Sequence, residues 1–404
     1  MNRRLRVLTI GHSYCVALNR ALVREVARDS SFDITVAAPA FFHGDLRPIA
    51  VEPEPQGSPL RLVPLKTRNT RFIHVFAYDR DELRDLMRDG AFDVVHAWEE
   101  PYIFAGYQIA RTLKNSTASF CFRTAQSYVK RYPPPFDYFE RTVLSRAQGW
   151  IAGASLVYQA MLDRGYLKHN GRILNLAVDL EEFRPIPAAA RTPILHELGL
   201  TPPVVGFVGR FTQAKGLDVL MNAMEQLETG ERWSLLLLGS GEYEQTILQW
   251  AARNGWSDRV KLKLAKHSEV PRYLGCMDIL VAPSQTMKDW REQFGRMIIE
   301  AFASGVPVIG SDSGEIPYVI GEAGKIVNEG DARAWASAIK HLLEGAQTRA
   351  KFAKRGLERV QRFSVKAIAE QYRDFYRSLG TQSVVTPRSA GVCSLLARAL
   401  PSKD

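Results

Sequence analysis

Cysteine is scarce, with four in 404 residues, at positions 15, 121, 276 and 393. They are far apart, show no Cys-x-x-Cys, and have no His at ligand spacing. That excludes a disulfide framework and makes a structural zinc site unexpected; reduced, mostly buried thiols of a cytoplasmic protein are the expectation. Long apolar runs are also missing, so no segment offers the roughly 20 apolar residues that span a bilayer. The start, Met1 to Arg6, is basic, but only Val7 to Ile10 follow as an apolar run, which fits a strand and not a secretory signal. The first strand is followed by Gly11-His12-Ser13 with a single glycine, and the lack of Gly-x-Gly-x-x-Gly disfavours a dinucleotide dehydrogenase. No base-reading motif accompanies the net charge of +10, so nucleic acid is not an expected partner.

What is present is an alternation of short β-branched runs with longer amphipathic segments, the pattern of parallel sheets covered by helices. The expected fold class is α/β, with two Rossmann-like domains facing a central cleft. Strands are predicted at 6–10, 34–38, 94–98, 119–123, 149–152 and 172–176, then at 204–208, 234–238, 260–264, 279–282, 306–310 and 325–327. The Pro-rich stretch Glu181 to Pro187 lacks periodicity and reads as a linker. The expected organisation is a domain at 1–178, a linker at 179–200, a second domain at 201–363 and a tail at 380–404.

Two constellations carry chemistry. The first runs Val-Val-Gly-Phe-Val-Gly-Arg-Phe-Thr-Gln-Ala-Lys-Gly from Val204 to Gly216. A buried strand ends at Gly209-Arg210, and Lys215-Gly216 opens a helix. Both cations then stand at the ligand end of a sheet beside free helix N–H groups, which suits a diphosphate. Two solvated cations on a turn are the ordinary alternative.

The second is Arg-Glu-Gln-Phe-Gly-Arg-Met-Ile-Ile-Glu-Ala-Phe-Ala-Ser-Gly, from Arg291 to Gly305. Glu292 precedes a helix and Glu300 lies within it, with Gly305 and Pro307 ending it. A helical path between the glutamates rises roughly 12 Å, about the reach from a nucleotide's ribose to its transferable sugar. The ordinary alternative is an acid near a helix N-terminus and a surface glutamate.

Together these segments resemble the retaining glycosyltransferases of family 4, which have the GT-B fold. Matches also occur at Leu237-Leu238-Gly239-Ser240-Gly241, Val281-Ala282-Pro283-Ser284, Ser313-Gly314-Glu315-Ile316-Pro317 and Asn175-Leu176-Ala177-Val178-Asp179. The resemblance spans about residues 5–379 and is strongest from 172 onward. It implies that Arg210 and Lys215 neutralise the donor diphosphate, beside Gly209 and Gly239. Glu292 would bind hydroxyls of the transferred sugar, near the Phe294 and Gly295 amides, and Glu300 the ribose. The strand around Leu264–His267 would frame the base, and a last helix, about 364–379, would cross back to the first domain. The leaving phosphate would take the acceptor's proton, so neither a metal nor another cofactor is expected, and no Asp-x-Asp stands where a metal would be needed.

The first half departs from the family pattern. Gly11 and His12 replace a two-glycine loop, and Arg123-Thr124-Ala125-Gln126 stands where many members have a His, which makes Arg123 the candidate contact to the donor sugar. His96, in Val94-Val95-His96-Ala97-Trp98-Glu99-Glu100, matches a strand-end His, although such a residue is more often packed in a core. Glu99 or Glu100 could face the cleft. Residues 111–146 carry seven basic and two acidic side chains. Within 126–146 they interleave with Tyr and Phe, which suits peripheral contact with the anionic inner face of a membrane or a lipid-linked acceptor; core aromatics with solvated charges are the alternative.

The function expected is transfer of a hexose-type sugar from a nucleoside-diphosphate sugar to a glycan, lipid-linked or polysaccharide acceptor with retention. A sugar-nucleotide epimerase or hydrolase on the same fold, or a non-catalytic sugar-nucleotide-binding protein, are the rivals. Intact charges at 210, 215, 292 and 300 argue against the last.

Overall fold

The computed structural model describes residues 3–44, 48–227 and 232–381. The first strand, β1 (Leu5–Ile10), pairs in parallel with β2 (Phe32–Pro39), which pairs with β3 (Arg61–Leu65) at the sheet edge. On its other side β1 pairs with β4 (Val94–Ala97), followed outward by β5 (Ser119–Thr124), β6 (Gly149–Ala152) and β7 (Gly171–Ile173). All seven run parallel, in the order β7-β6-β5-β4-β1-β2-β3. Central strands such as Val-Val-His-Ala are buried along their whole length, as helices on both faces of a parallel sheet require. The edge strand β3 escapes the sequence pattern because Pro64 interrupts it, and an edge is where a strand tolerates proline.

A second sheet has the order β10-β9-β8-β11-β12-β13. These strands are β8 (Val204–Val208), β9 (Ser234–Leu238), β10 (Val260–Lys263), β11 (Ile279–Ala282), β12 (Val308–Ser311) and β13 (Lys325–Val327). Again every pairing is parallel. Its core packs Phe207, Leu217, Leu237, Ile247, Val281 and Trp335 between the sheet and its helices.

The chain divides into two compact units, residues 1–175 with 369–404, and residues 176–368. The stretch expected to be a linker, 179–200, lies in the second unit. From Ala188 to Leu198 it forms helix α1, with Pro193 inside it. The Pro-rich stretch 181–187 itself forms no helix or strand. Helix α2 (Leu217–Glu225) follows β8, α3 (Arg296–Ala303) precedes β12, and α4 (Val365–Gly380) ends the described chain. Residues of α4 from Ala369 onward group with the first unit. Cys15, Cys121 and Cys276 are free and buried, and burial pushes the Cys15 thiol up to about 12. Cys393 and the tail beyond residue 381 lie outside the described residues.

Candidate functional site

In parallel α/β sheets the carboxyl ends of the strands are where loops gather ligands. In the second unit those ends bring the two constellations into direct contact. After β8 the chain turns through Gly209-Arg210-Phe211, with the Phe211 ring fully buried as an anchor and Arg210 exposed. The Gly209 N–H donates to Leu238 O and the Phe211 N–H to Ser240 O, so this loop runs beside the Gly239-Ser240-Gly241 loop. The turn Gln213–Lys215 then leads to Gly216, the left-handed residue before α2, with φ of 73°. A Cβ there would stand 1.8 Å from Pro283 O, so only glycine lets the Lys215 turn seat against the loop after β11. The Gln285 N–H donates to Ala214 O across the same junction.

That docking places Lys215 Nζ 2.5 Å from Glu292 Oε2, with both side chains largely buried. Ser284 Oγ donates to the same carboxylate oxygen at 3.0 Å. The Trp290 ring lies under the ammonium, 4.9 Å from its centroid. The sequence treats Lys215 and Glu292 as separate contacts; here they form one ion pair on an aromatic floor. Glu292 is held from below by the Ser-Gly-Glu segment: the Glu315 N–H donates to Glu292 O, and a Cβ at Gly314 would come within 2.1 Å of that oxygen.

Glu300 lies in α3, which starts after Gly295 as its left-handed N-cap. It is buried, not a surface residue, and burial raises its carboxyl pKa, opposed by Arg296. Arg296 Nε is 2.9 Å from Glu300 Oε1, an i,i+4 pair. Phe294 is buried against Phe363 and anchors the start of the helix. The strand expected to continue to His267 stops at Lys263; His267 opens an exposed one-turn helix. Leu264 is half-exposed, so apolar alternation ends before the predicted boundary.

In the first unit, Gly11-His12 after β1 meets Glu99 after β4. The carboxylate of Glu99 is fully buried and accepts three hydrogen bonds, from the His12 N–H at 2.7 Å, from His12 Nδ1 at 2.6 Å and from Tyr78 OH at 2.8 Å. An ionised carboxylate only accepts, so Nδ1 carries the hydrogen in this contact. The His12 side chain is 32% exposed and stacks on Phe42. Gly11 packs against Trp98. Glu100 accepts from Thr124 Oγ1 and the Ala125 N–H, and burial pushes its carboxyl up to about 7.

Arg123 and His96 both lie inside the unit, His96 in the core as its place on a strand favours. Arg123 is buried: its guanidinium donates to Leu174 O and Tyr372 OH and lies over the Trp98 ring. It braces the unit from within. His96 is fully buried, with Nδ1 on Tyr376 OH, and its Nε2 has no hydrogen-bond partner among the described residues. Burial pushes its pKa down to about 3, with help from Arg123. It is a neutral core histidine. Sequence reasoning missed Trp290, Arg296 and Tyr78, and gave Ser284 no role although it stood in a matching segment; Arg296 carried a readable signal, its i,i+4 spacing to Glu300.

The basic and aromatic stretch 126–146 is of mixed character. Phe139 is buried, Tyr132 stacks on Tyr102, and Arg141 pairs with Asp137. Val129, Arg131 and Tyr138 are exposed. Among the described residues no helix is long and apolar enough to cross a membrane.

Residues 195–359 match the family described as glycosyl transferases group 1. D-inositol 3-phosphate glycosyltransferase of Segniliparus rotundus is 31% identical over 53% of this chain and 48% of its own length. Lipopolysaccharide core biosynthesis glycosyltransferase LpsE of Rhizobium meliloti is 33% identical over 42% of this chain and 48% of its own. The chain thus spans about half the length of the first curated relatives it matches. A crystal structure of Anabaena HepE in complex with UDP-glucose superposes with a TM-score of 0.71 at 16% identity, covering 93% of this chain and 100% of that one. The chain has the GT-B fold, and its residues 195–359 are similar to the glycosyl transferases group 1 family.

Proposed function

We propose that the protein transfers a sugar from a nucleoside-diphosphate sugar to a glycan, lipid-linked or polysaccharide acceptor, with retention of anomeric configuration. The observation that carries this reading is the Lys215–Glu292 pair, closed by Ser284 and Trp290 at the ligand end of the second sheet. Arg210 and Lys215 answer the charge that develops on the leaving diphosphate, which is where electrostatic stabilisation lowers the barrier. Glu292 meets the hydroxyls of the transferred sugar. Glu300, kept near Arg296, meets the ribose. In the first unit His12, with Glu99 fixing its tautomer, meets the acceptor hydroxyl.

The fold shared with a UDP-glucose complex supports a uridine diphosphate donor. The relatives named for an inositol phosphate and for the lipopolysaccharide core support a polyol or glycan acceptor. Two cations at the diphosphate make a metal unnecessary on this reading. Exposed Val129, Arg131 and Tyr138 support peripheral contact with an anionic membrane surface. Replacing Lys130, Arg131 and Arg141 with Ser should then weaken binding to anionic vesicles; equal binding by both chains removes that contact.

The test of the main reading is thermal stability against a panel of nucleotide sugars, with and without EDTA. A true donor at ~100 times its Kd adds about 2.7 kcal/mol, and Lys215→Ala should abolish the shift. If no nucleotide sugar stabilises the protein, the reading is wrong. If one does so only with a divalent ion, the metal-free diphosphate site is wrong.

A further inference from the structure

At the ligand end of the first sheet, β2 and β3 run into two small antiparallel pairs, Phe41–Phe42 with Ile49–Ala50 and Thr67–Arg68 with Ala77–Tyr78. Residues of both surround a cavity of about 660 Å³, lined among others by Phe41, His43, Lys66, Arg68, Arg71 and Phe72. The site described above uses none of them. Among the described residues, three cations face one lining carboxylate, Asp79. The existing ion pairs answer them weakly. Lys66 is 3.0 Å from Glu82 and Arg68 is 3.8 Å from Asp79, and both cationic side chains are 80% exposed; such pairs contribute little. Arg71 is exposed.

Like charges gathered in a concavity repel one another and raise the local concentration of anions. Guanidinium forks match phosphate oxygens in particular. The rim adds a second requirement. Phe41 and Phe72 are large apolar side chains left 44% and 66% exposed on the same cavity, so a ligand with an apolar or ring face beside its anionic group gains most. Phe42, next to Phe41, stacks on His12, which ties the cavity to the residue assigned to the acceptor.

We propose that this cavity holds a phosphate-bearing group. Resting on the glycosyltransferase reading above, that group belongs to the acceptor, whose hydroxyl is presented to His12. The phosphate can come from a soluble phosphorylated sugar or polyol, or from a lipid headgroup.

The experiment uses the full chain carrying Arg210→Ser and Lys215→Ser, so that the second unit's cations do not contribute. Inorganic phosphate binding is measured by calorimetry, and binding to phosphatidylcholine vesicles with and without phosphatidylglycerol by sedimentation. Adding Arg68→Ser and Arg71→Ser, both at exposed positions, should weaken phosphate binding at least about tenfold, as expected when charge-assisted contacts are lost. Phosphate binding with no cavity-dependent vesicle binding assigns a soluble acceptor. Vesicle binding lost in that variant and in Phe41→Ser/Phe72→Ser assigns a lipid headgroup. The proposal is overturned if the Arg68/Arg71 replacements change neither binding, or if phosphate binds only when Arg210 and Lys215 are intact. Nucleotide-sugar stabilisation is read in the second unit, so failure there leaves the phosphate result standing and fails the glycosyltransferase reading alone.

Discussion

Glu292 and Glu300 are both buried carboxylates with a cation beside them, yet the cations differ in origin. Lys215 reaches Glu292 from a separate strand–helix turn, whereas Arg296 reaches Glu300 from one turn earlier in the same helix. Loss of Glu292 therefore also removes the ion-pair partner of Lys215, and the two replacements should part company in kinetics. Glu300→Ala should mainly raise the donor KM, because ribose binding is common to ground and transition states. Glu292→Ala should lower kcat by ~10–100-fold, one charge-assisted contact of about 1.5–3 kcal/mol being lost near the breaking bond. Glu292→Gln should fall between. If a nucleoside diphosphate binds Glu292→Ala far more weakly but Glu300→Ala normally, the roles are reversed. His96 gives a different residue-level expectation, in stability. Its folded pKa of about 3 lies below the ordinary 6.5. Below pH 6.5 the unfolded chain therefore takes up a proton that the folded chain refuses. Stability is whole above about pH 6.5 and is lost as pH falls towards 3, by about 2 kcal/mol at pH 5. His96→Gln cannot take up that proton, so its denaturation midpoint should fall less between pH 7 and 5. A gap between the two chains that does not change with pH rules this out.

At the scale of elements, what could be read from the sequence was what period and motif carry. Val204–Val208, Ser234–Leu238, Gly149–Ala152 and Lys325–Val327 have the bounds expected from apolar runs. The glutamates fall before and within α3 as their spacing requires. What stayed hidden depends on tertiary contact. Nothing local marks Arg61–Leu65 as a strand, since only pairing to β2 makes it one. Nothing in Trp290 or Ser284 announces a lysine 69 or more residues earlier in the chain as its neighbour. Arg123 looked like a strand-end ligand because the sequence does not show Tyr372 and Leu174 converging on it. The turn at Gly216 allows a test of how far element docking governs the site. Gly216→Ala sets a side chain against Pro283 O in a left-handed backbone and should shift Lys215, lowering nucleotide-sugar affinity at least about tenfold. Gly255 has a similar φ of 70° but open space around it, so Gly255→Ala should cost about 1–2 kcal/mol from the backbone alone with affinity unchanged. Equal loss of affinity in both would show that the effect is general destabilisation.

For the whole molecule the two units are unequal as pieces of chain. The second is one continuous segment, and its ends are tied together: the Val178 N–H donates to Phe363 O and the Val365 N–H to Val178 O. The first is discontinuous, and its C-terminal piece carries part of its core. Tyr372, Phe375, Tyr376 and Leu379 are each at most 5% exposed. Tyr376 holds His96, Tyr372 holds Arg123, and Ser119 Oγ donates to Leu379 O. Four such side chains contribute roughly 6–12 kcal/mol at about 1.5–3 kcal/mol each, an upper bound because the unfolded chain already buries some surface. That is comparable to the 5–15 kcal/mol by which a typical domain is stable. A fragment of residues 176–368 should therefore fold cooperatively and bind the donor with the affinity of the full chain, without catalysing transfer. A fragment of residues 1–175 should not fold, and adding a peptide of residues 365–381 should restore structure to it. Circular dichroism and calorimetry on the two fragments decide the matter. A folded 1–175 fragment would show that α4 is dispensable to the first core, and an unfolded 176–368 fragment that the second unit depends on the first.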